Sequence, residues 1–333
     1  MEEMISVVVV TYNQEKTIGR TLDAILCQKC HLPIEIVIGE DCSTDGTRAI
    51  CEDYAKRYPQ IRLFNNQQNK GVVDNYFDCL LACKGKYIAD CAGDDFWVDP
   101  EKLEKEVAVM EQNDRVTLVH TAWRSYNEQT RTTSDMPQEL FNAPMTEGKT
   151  MLEAIITQTR TPVIHLCTSL YRADVIMREY QANTSLFRNK EWPCEDLQIT
   201  FILALNGIIG YLPDITLHYS QGGETVSSSK DNKKQFDFFK KATNLSHNLA
   251  KTYAIKTPNT QKFFNQRAFA MWMYAFRAHD KSMREEAIKC QKRWGARNTF
   301  AIILARCITS CTPFWKSVLL LRQVFVKLKQ ARR

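Results

Sequence analysis

Apolar and polar positions alternate along the first hundred residues in blocks whose lengths separate strands from helices. Residues 5–10 read ISVVVV, a continuous β-branched run that suits a strand buried on both faces of a parallel sheet. Thr11, Tyr12 and Asn13 end it. The spacing of Ile18, Leu22, Ile25 and Leu26 predicts a helix over 14–27. Residues 34–38 predict a second strand, the polar stretch 39–47 a turn, and the pattern running on to Tyr58 a second helix. A third strand is expected at 61–64, a polar loop at 65–70, a helix at 71–83 and a fourth strand at 87–89. The helical pattern resumes at Glu101. Strands and helices alternating in this way imply βαβ units and a parallel sheet. Ligands of such sheets bind at the carboxyl ends of the strands. Three polar clusters are therefore expected in one crevice: residues 11–13, 40–45 and 93–97.

The second half carries a weaker pattern. Residues 116–122 read as a strand, and 127–146, polar with Pro137 and Pro144, as a loop. A short helix is expected at 151–157, a strand at 165–171 and a helix at 173–180. The stretch EWPCED leads into a strongly apolar helix over 197–205. Strands are expected at 208–212 and 215–219, on either side of Pro213 and Asp214. Residues 221–230, rich in Gly and Ser, read as a mobile connection. From Lys233 onward the patterns are helical, and there is no internal repeat.

The most distinctive stretch, KYIADCAGDDFW, runs from an apolar strand into two adjacent carboxylates, Asp94 and Asp95. Adjacent carboxylates repel unless something compensates. A hard divalent cation shared with substrate phosphates does so; a solvated turn is the plain alternative.

Composition sets the class. With 333 residues, 44% hydrophobic and 25% charged, the chain can bury a substantial core. It has no uncharged apolar run of about 18 residues, so no membrane-spanning helix is expected. The acidic start MEEMISVVVV does not read as a signal peptide. Twelve cysteines without a paired CxxC framework read as small apolar residues of a reducing cytoplasm. Thr11-Tyr12-Asn13 follows the first strand where a dinucleotide oxidoreductase would need G-x-G-x-x-G, and a P-loop is missing too.

Charge is uneven. From Lys281 onward there are 13 basic and two acidic residues, giving +11, so the first 280 residues carry −5 of the net +6. Phe314, Val318, Leu321, Phe325 and Leu328 fall on one helical face, with Trp315 beside them as an interface-preferring aromatic. Lys316, Arg322, Lys327, Lys329, Arg332 and Arg333 add positive charge. This pattern suits a helix lying on an anionic membrane surface. A terminal helix packed on a partner is the alternative. No nucleic-acid-binding module is recognisable.

Four segments, in order, resemble the family 2 glycosyltransferases with a GT-A fold: VVVVTYNQEKTIGRTLDAIL, IEIVIGEDCSTDGT, NKGVVDNYFDCLLACKGKYIADCAGDDFW and EDLQITFILAL. The resemblance covers residues 4–225. It implies an α/β fold of the GT-A kind, a Rossmann-like, mostly parallel mixed sheet flanked by helices. A nucleotide-sugar half would occupy 1–115 and an acceptor half 116–225, with a helical region over 226–333.

It also implies an inverting transferase, moving a hexosyl or N-acetylhexosaminyl group from a nucleotide-diphosphate donor, commonly a UDP-sugar. The hydroxyl acceptor would be a saccharide or a lipid-linked saccharide of cell-surface polysaccharide or glycolipid synthesis. The protein would be cytoplasmic, or peripheral on the inner face of the membrane. Asp41 matches the residue that reads the nucleotide base; on the residues alone, Asp41 and Ser43 could simply cap the helix beginning near Asp45. Thr11, Tyr12, Asn13 and Glu15 match the turn at the nucleotide, Asp94 the ribose contact and Asp95 the ligand of a Mn²⁺ or Mg²⁺ cofactor. Asp196 matches the general base, with Glu195 next in line. His218 stands where the family often places a metal- or diphosphate-binding histidine, but the usual Tyr-Arg before it is missing. His165 could line the acceptor side. The rival class is a non-catalytic nucleotide-sugar-binding or scaffold protein on the same fold; the complete set of carboxylates argues against it.

Overall fold

The computed structural model describes residues 1–135, 143–158, 164–221 and 231–330, with the helix but not the side chains described over 322–330. The chain forms two compact units, Met1–Gly223 and Glu224–Arg333.

In the first unit the β-branched run becomes β1 (Glu2–Thr11), whose Ile5, Val7, Val8 and Val9 are buried. Then follow α1 (Ile18–Leu26), β2 (Ile34–Glu40), α2 (Thr47–Arg57), β3 (Ile61–Asn65), α3 (Val72–Ala82), β4 (Gly85–Asp90), β5 (Phe96–Trp97) and α4 (Lys102–Gln112). The remainder comprises β6 (Val116–Asn127), β7 (Thr132–Asp135), β8 (Met145–Glu147), α5 (Leu152–Thr157), β9 (Ser169–Arg172), α6 (Ala173–Ala182), α7 (Thr184–Phe187), α8 (Asp196–Asn206) and β10 (Ile208–Gln221). One mixed sheet runs in the order β3-β2-β1-β4-β9-β6-β10-β5, with β7 on β6 and β8 on β10. Parallel pairing joins β3, β2, β1 and β4, and also β6 to β10. β9 runs antiparallel to both its neighbours. Register sets the site: Thr11 lies opposite Glu40 at the end of β1 and β2, and Asp90 lies opposite Val8.

Several boundaries differ from the sequence pattern for identifiable reasons. α1 begins at Ile18 rather than Gln14, because residues 14–17 form a turn tied to the next segment. The Gln14 amide donates to Thr47 Oγ1 at 2.7 Å and the Glu15 amide to Asp45 Oδ2 at 3.1 Å. The expected loop over 127–146 contains β7 and β8, whose strand character comes from pairing with β6 and β10 rather than from apolar alternation. Its residues 136–142 lie outside the described residues. The expected strand over 165–171 is half a 3₁₀ turn (Leu166–Thr168), and β9 begins only at Ser169. The two strands expected around Pro213 are one, β10, with register shifts there that absorb the proline. The mobile connection expected over 221–230 lies, beyond Gln221, outside the described residues.

The second unit is helical: α9 (Asn232–Thr252), α10 (Pro258–Ala278), α11 (Lys281–Arg293), α12 (Phe300–Ser310) and α13 (Thr312–Gln330). Its starts are capped: Asp231 accepts from the Lys233 amide, Thr257 forms a capping box with Thr260 ahead of Pro258, and Asp280 accepts from the Ser282 amide. Trp315, expected at a membrane interface, is instead fully buried. Its indole donates to the Phe276 carbonyl at 3.0 Å and its ring packs on His279. Phe314 and Leu321, on the face read as apolar, are exposed. Among the described residues no helix is long and apolar enough to cross a membrane.

Candidate active site

At the carboxyl edge of the sheet, the turns after β1, β2 and β4 are bonded to one another. The Asp41 amide donates to the Thr11 carbonyl at 3.0 Å, and the Gly93 amide to the Val10 carbonyl at 3.1 Å. Gly93 is required there: a Cβ would lie 2.4 Å from Gln14 Oε1 and 2.8 Å from Thr11 Oγ1. Asn13, in the left-handed region at φ 53°, accepts the Thr44 amide on its side chain at 2.8 Å. Glu15 accepts the Gly46 amide at 2.8 Å, so its carboxylate binds the start of α2. Thr11 is buried and Tyr12 exposed at the rim.

Asp41 is buried and fully engaged. Its carboxylate accepts from Asn66 Nδ2 at 3.0 Å, the Lys70 amide at 2.8 Å and the Gly71 amide at 2.9 Å. It therefore fixes the loop that enters α3, not the start of α2, where Asp45 caps Thr47. Glu40 is buried in an ion pair with Arg48 at 2.6 Å.

The acidic pair sits in the turn between β4 and β5. Asp95 is buried and accepts the Ser220 amide at 2.9 Å. Burial and then the charge of Asp94 push its carboxyl well above the ordinary range. Burial also raises Asp94, with Glu128 adding to the shift and Arg20 opposing it. A buried, mutually repelling pair of this kind calls for a cation, and its oxygen donors suit Mg²⁺ or Mn²⁺.

A second acidic group stands at the N-terminus of α8. Glu195 is buried, and its Oε2 has no hydrogen-bond partner among the described residues. Burial, then Asp196, raises its carboxyl strongly. Asp196 is reached by solvent, yet the protein packed around it raises its carboxyl too. Tyr219 lies within electrostatic reach of both acidic groups. Burial raises its hydroxyl first, and Asp95, Asp94 and Asp196 add to the shift.

His218, expected at the metal, does not join these carboxylates. Its ring stacks on Tyr126 (centroids 5.8 Å apart, interplanar angle 7°) and meets the edge of Phe96. Burial, then Arg124 and Arg20, lowers its pKa. Among the described residues, three ligating side chains with donor atoms within 4.8 Å of one another occur only at Cys30, His31 and Glu104. There Glu104 is occupied by the amide and ring of His31, at 3.0 and 2.9 Å. His165 packs on Trp123 and Tyr219 and is held neutral by burial, its pKa pushed down to about 4.

Four contributors were not legible in the sequence. Arg20, Glu128 and Ser220 hold the Asp94–Asp95 turn from three different elements. Asp90, at the end of β4, has neither carboxylate oxygen in a hydrogen bond of normal geometry among the described residues. Burial pushes it up to about 7 against the hydroxyls of Tyr76 and Tyr171, and Asp196 adds to the rise. One acidic residue within an apolar strand carries no signal for such a position.

A Mycobacterium tuberculosis protein described as "Uncharacterized protein Rv1520" is 40% identical over 133 residues, 40% of this chain and 38% of that protein. The chain thus spans less than half the length of the first curated relatives it matches. Among solved structures, TarS 1–349 of S. aureus in complex with UDP-GlcNAc aligns with a TM-score of 0.54 at 17% identity, covering 89% of this chain and 93% of that one. The mannosyltransferase PcManGT of Pyrobaculum calidifontis, in complex with GDP-Man and Mn²⁺, gives 0.53 at 15% identity, covering 96% and 87%. At such identities these two speak for the fold, which is GT-A. The family model "Glycosyl transferase family 2" matches residues 6–178, more than half of the chain, and the chain belongs to that family.

Proposed function

We propose that the protein is an inverting glycosyltransferase that moves a sugar from a nucleotide-diphosphate donor, a UDP-sugar, to a hydroxyl of a saccharide or lipid-linked saccharide. The observation that carries this reading is the joining of the turns after β1, β2 and β4 at one sheet edge, with the acidic Asp94–Asp95 turn among them and Asp95 buried on the Ser220 amide. The donor complexes of TarS and PcManGT support a nucleotide-sugar partner. Asp95, with Asp94 beside it, would hold a Mg²⁺ or Mn²⁺ ion, which would neutralise charge developing on the diphosphate. Thr11, Tyr12, Asn13 and Asp41 would form the nucleotide side, with Glu15 and Asn66 bracing it. Asp196, open to solvent, takes the proton of the acceptor hydroxyl as that oxygen bonds to the anomeric carbon and the bond to the diphosphate oxygen breaks. Glu195, closed off behind it, is less suited to meet an acceptor. On this reading residues 1–115 would serve the donor and 116–225 the acceptor.

The test is incubation of purified protein with a panel of nucleotide sugars and Mn²⁺, following donor hydrolysis. Turnover of one donor, lost in EDTA and restored by Mn²⁺ or Mg²⁺, is expected. Binding of a donor without turnover of any would favour the non-catalytic reading.

The helical unit adds a location. α12 exposes Phe300, Ile303 and Leu304 and α13 exposes Phe314, Leu320 and Leu321, while the sequence holds no acidic residue after Glu286. Exposed apolar residues in a purely basic surrounding fit the headgroup region of an anionic leaflet on the cytoplasmic face. Flotation with anionic but not neutral liposomes, weakened by salt, is expected; no flotation would remove this part of the proposal.

A further inference from the structure

The Asp94–Asp95 turn is gripped from outside by one polar face of α1. Thr17 Oγ1 donates to the Gly93 carbonyl at 2.9 Å, and Thr21 Oγ1 to the Asp95 carbonyl at 2.6 Å. Between them, one turn along the same face, stands Arg20. Its guanidinium forks onto Glu128, with Nη2 at 2.6 Å from Oε1 and Nη1 at 3.3 Å from Oε2. The second proton of Nη2 is shared between the Asp94 carbonyl at 3.2 Å and Ser220 Oγ at 3.3 Å. Cζ lies 3.9 Å from the centroid of Phe96, so the cation is also covered by a ring.

Ser220 closes the loop. Its hydroxyl, with one proton to give, stands 2.6 Å from the Asp94 carbonyl and 2.8 Å from Glu128 Oε1. Its amide is the donor that Asp95 Oδ1 accepts. Four elements thus meet at one cation: α1 through Arg20, the end of β6 through Glu128, the end of β10 through Ser220, and the acidic turn. Lys would replace it poorly, because a single ammonium cannot reproduce the two-pronged contact with Glu128 and also reach the Asp94 carbonyl and Ser220.

We infer that Arg20 is a positioning residue for the proposed metal site: with Glu128 and Ser220 it fixes the backbone of the Asp94–Asp95 turn and so the direction in which the two carboxylates point. It touches neither carboxylate through its hydrogen bonds; it acts through the Asp94 carbonyl and through Ser220. This inference rests on the reading of Asp94 and Asp95 as the metal-binding pair. Outer-shell groups that orient ligands typically contribute about 10–100-fold in metal affinity.

The experiment is Mn²⁺ binding to the full chain by calorimetry, with UDP affinity and thermal midpoint recorded beside it. Arg20→Ala should weaken Mn²⁺ binding by at least ~10-fold, with Arg20→Lys intermediate at best. Ser220→Ala removes the hydroxyl and keeps the amide on Asp95; it tests the same path with little risk to folding and should weaken Mn²⁺ binding in the same direction. Combining Arg20→Ala with Glu128→Gln should cost little more than Arg20→Ala alone, since the two act as one unit. Folded Arg20→Ala and Ser220→Ala that bind Mn²⁺ as tightly as the wild type would overturn the positioning role and leave the metal reading standing. Wild-type protein that binds UDP but no Mn²⁺ or Mg²⁺ would overturn the metal reading and this inference together.

Discussion

The two acidic regions of the cleft are built in opposite ways. On the donor side each carboxylate is committed: Asp41 accepts three hydrogen bonds, Glu40 is paired with Arg48, and Glu15 binds the start of α2. At the start of α8 the acids are less engaged, with Glu195 Oε2 without a hydrogen-bond partner among the described residues and Asp196 open to solvent. The Asp94–Asp95 turn lies between these extremes, its backbone clamped and its carboxyls raised by burial. A committed carboxylate gives shape; an uncommitted one with a raised pKa is available to take a proton or a cation. On the proposed function, the difference would separate residues that build the nucleotide pocket from those free to carry the reaction.

That contrast can be broken at its strongest point first. Asp95→Ala should abolish transfer and Mn²⁺ binding while the protein stays folded, since the relief of a buried repulsion offsets the loss of the Ser220 amide's acceptor. Transfer by this variant in chelator would remove the metal assignment.

Asp41→Ala should fail differently. Three donors lose their acceptor, two of them backbone amides before α3, so the fold should lose about 2 kcal/mol along with nucleotide affinity. Denaturant unfolding and UDP calorimetry measure the two losses. An unchanged midpoint would show that the loop is held by something other than Asp41.

Asp90 sharpens the comparison through pH. Its carboxyl stands at about 7 in the fold against an ordinary 3.8. Between those values the native state holds a proton that the unfolded chain has released, so this group's contribution to stability falls as pH rises from about 4 to about 7. Asp90→Asn removes that slope. Its stability relative to the wild type should be greater at pH 8 than at pH 4 by about 1–3 kcal/mol, read from urea midpoints. An equal difference at both pH values would place an ordinary carboxyl there.

The first four strands and three helices were legible because buried parallel strands are written as β-branched runs and their helices as apolar stripes. ISVVVV forms the buried centre of β1, which extends it to Glu2 and Thr11, and IEIVI forms β2, which runs on two residues to Glu40. β5, β7 and β8 were not legible: two to four residues long, they exist only through partners far away in sequence. The acids at 41, 195 and 196 were singled out by the family resemblance, and those at 94 and 95 also as an adjacent pair after a strand. Arg20 was hidden because a lone arginine on a polar helix face looks solvated until its partner, 108 residues away, is in place. Trp315 was misplaced for a related reason, since a helical wheel shows which face is apolar but not which neighbour covers it.

The most direct test of the account is turnover by Asp196→Asn with donor affinity measured on the same preparation. Loss of a positioned base costs at least ~10²-fold in rate. The account predicts a folded variant that binds the nucleotide sugar as the wild type does and transfers it at least that much more slowly. A variant of Asp196 with undiminished turnover, above all if Glu195→Gln is inactive, would contradict the assignment of the open acid as the base.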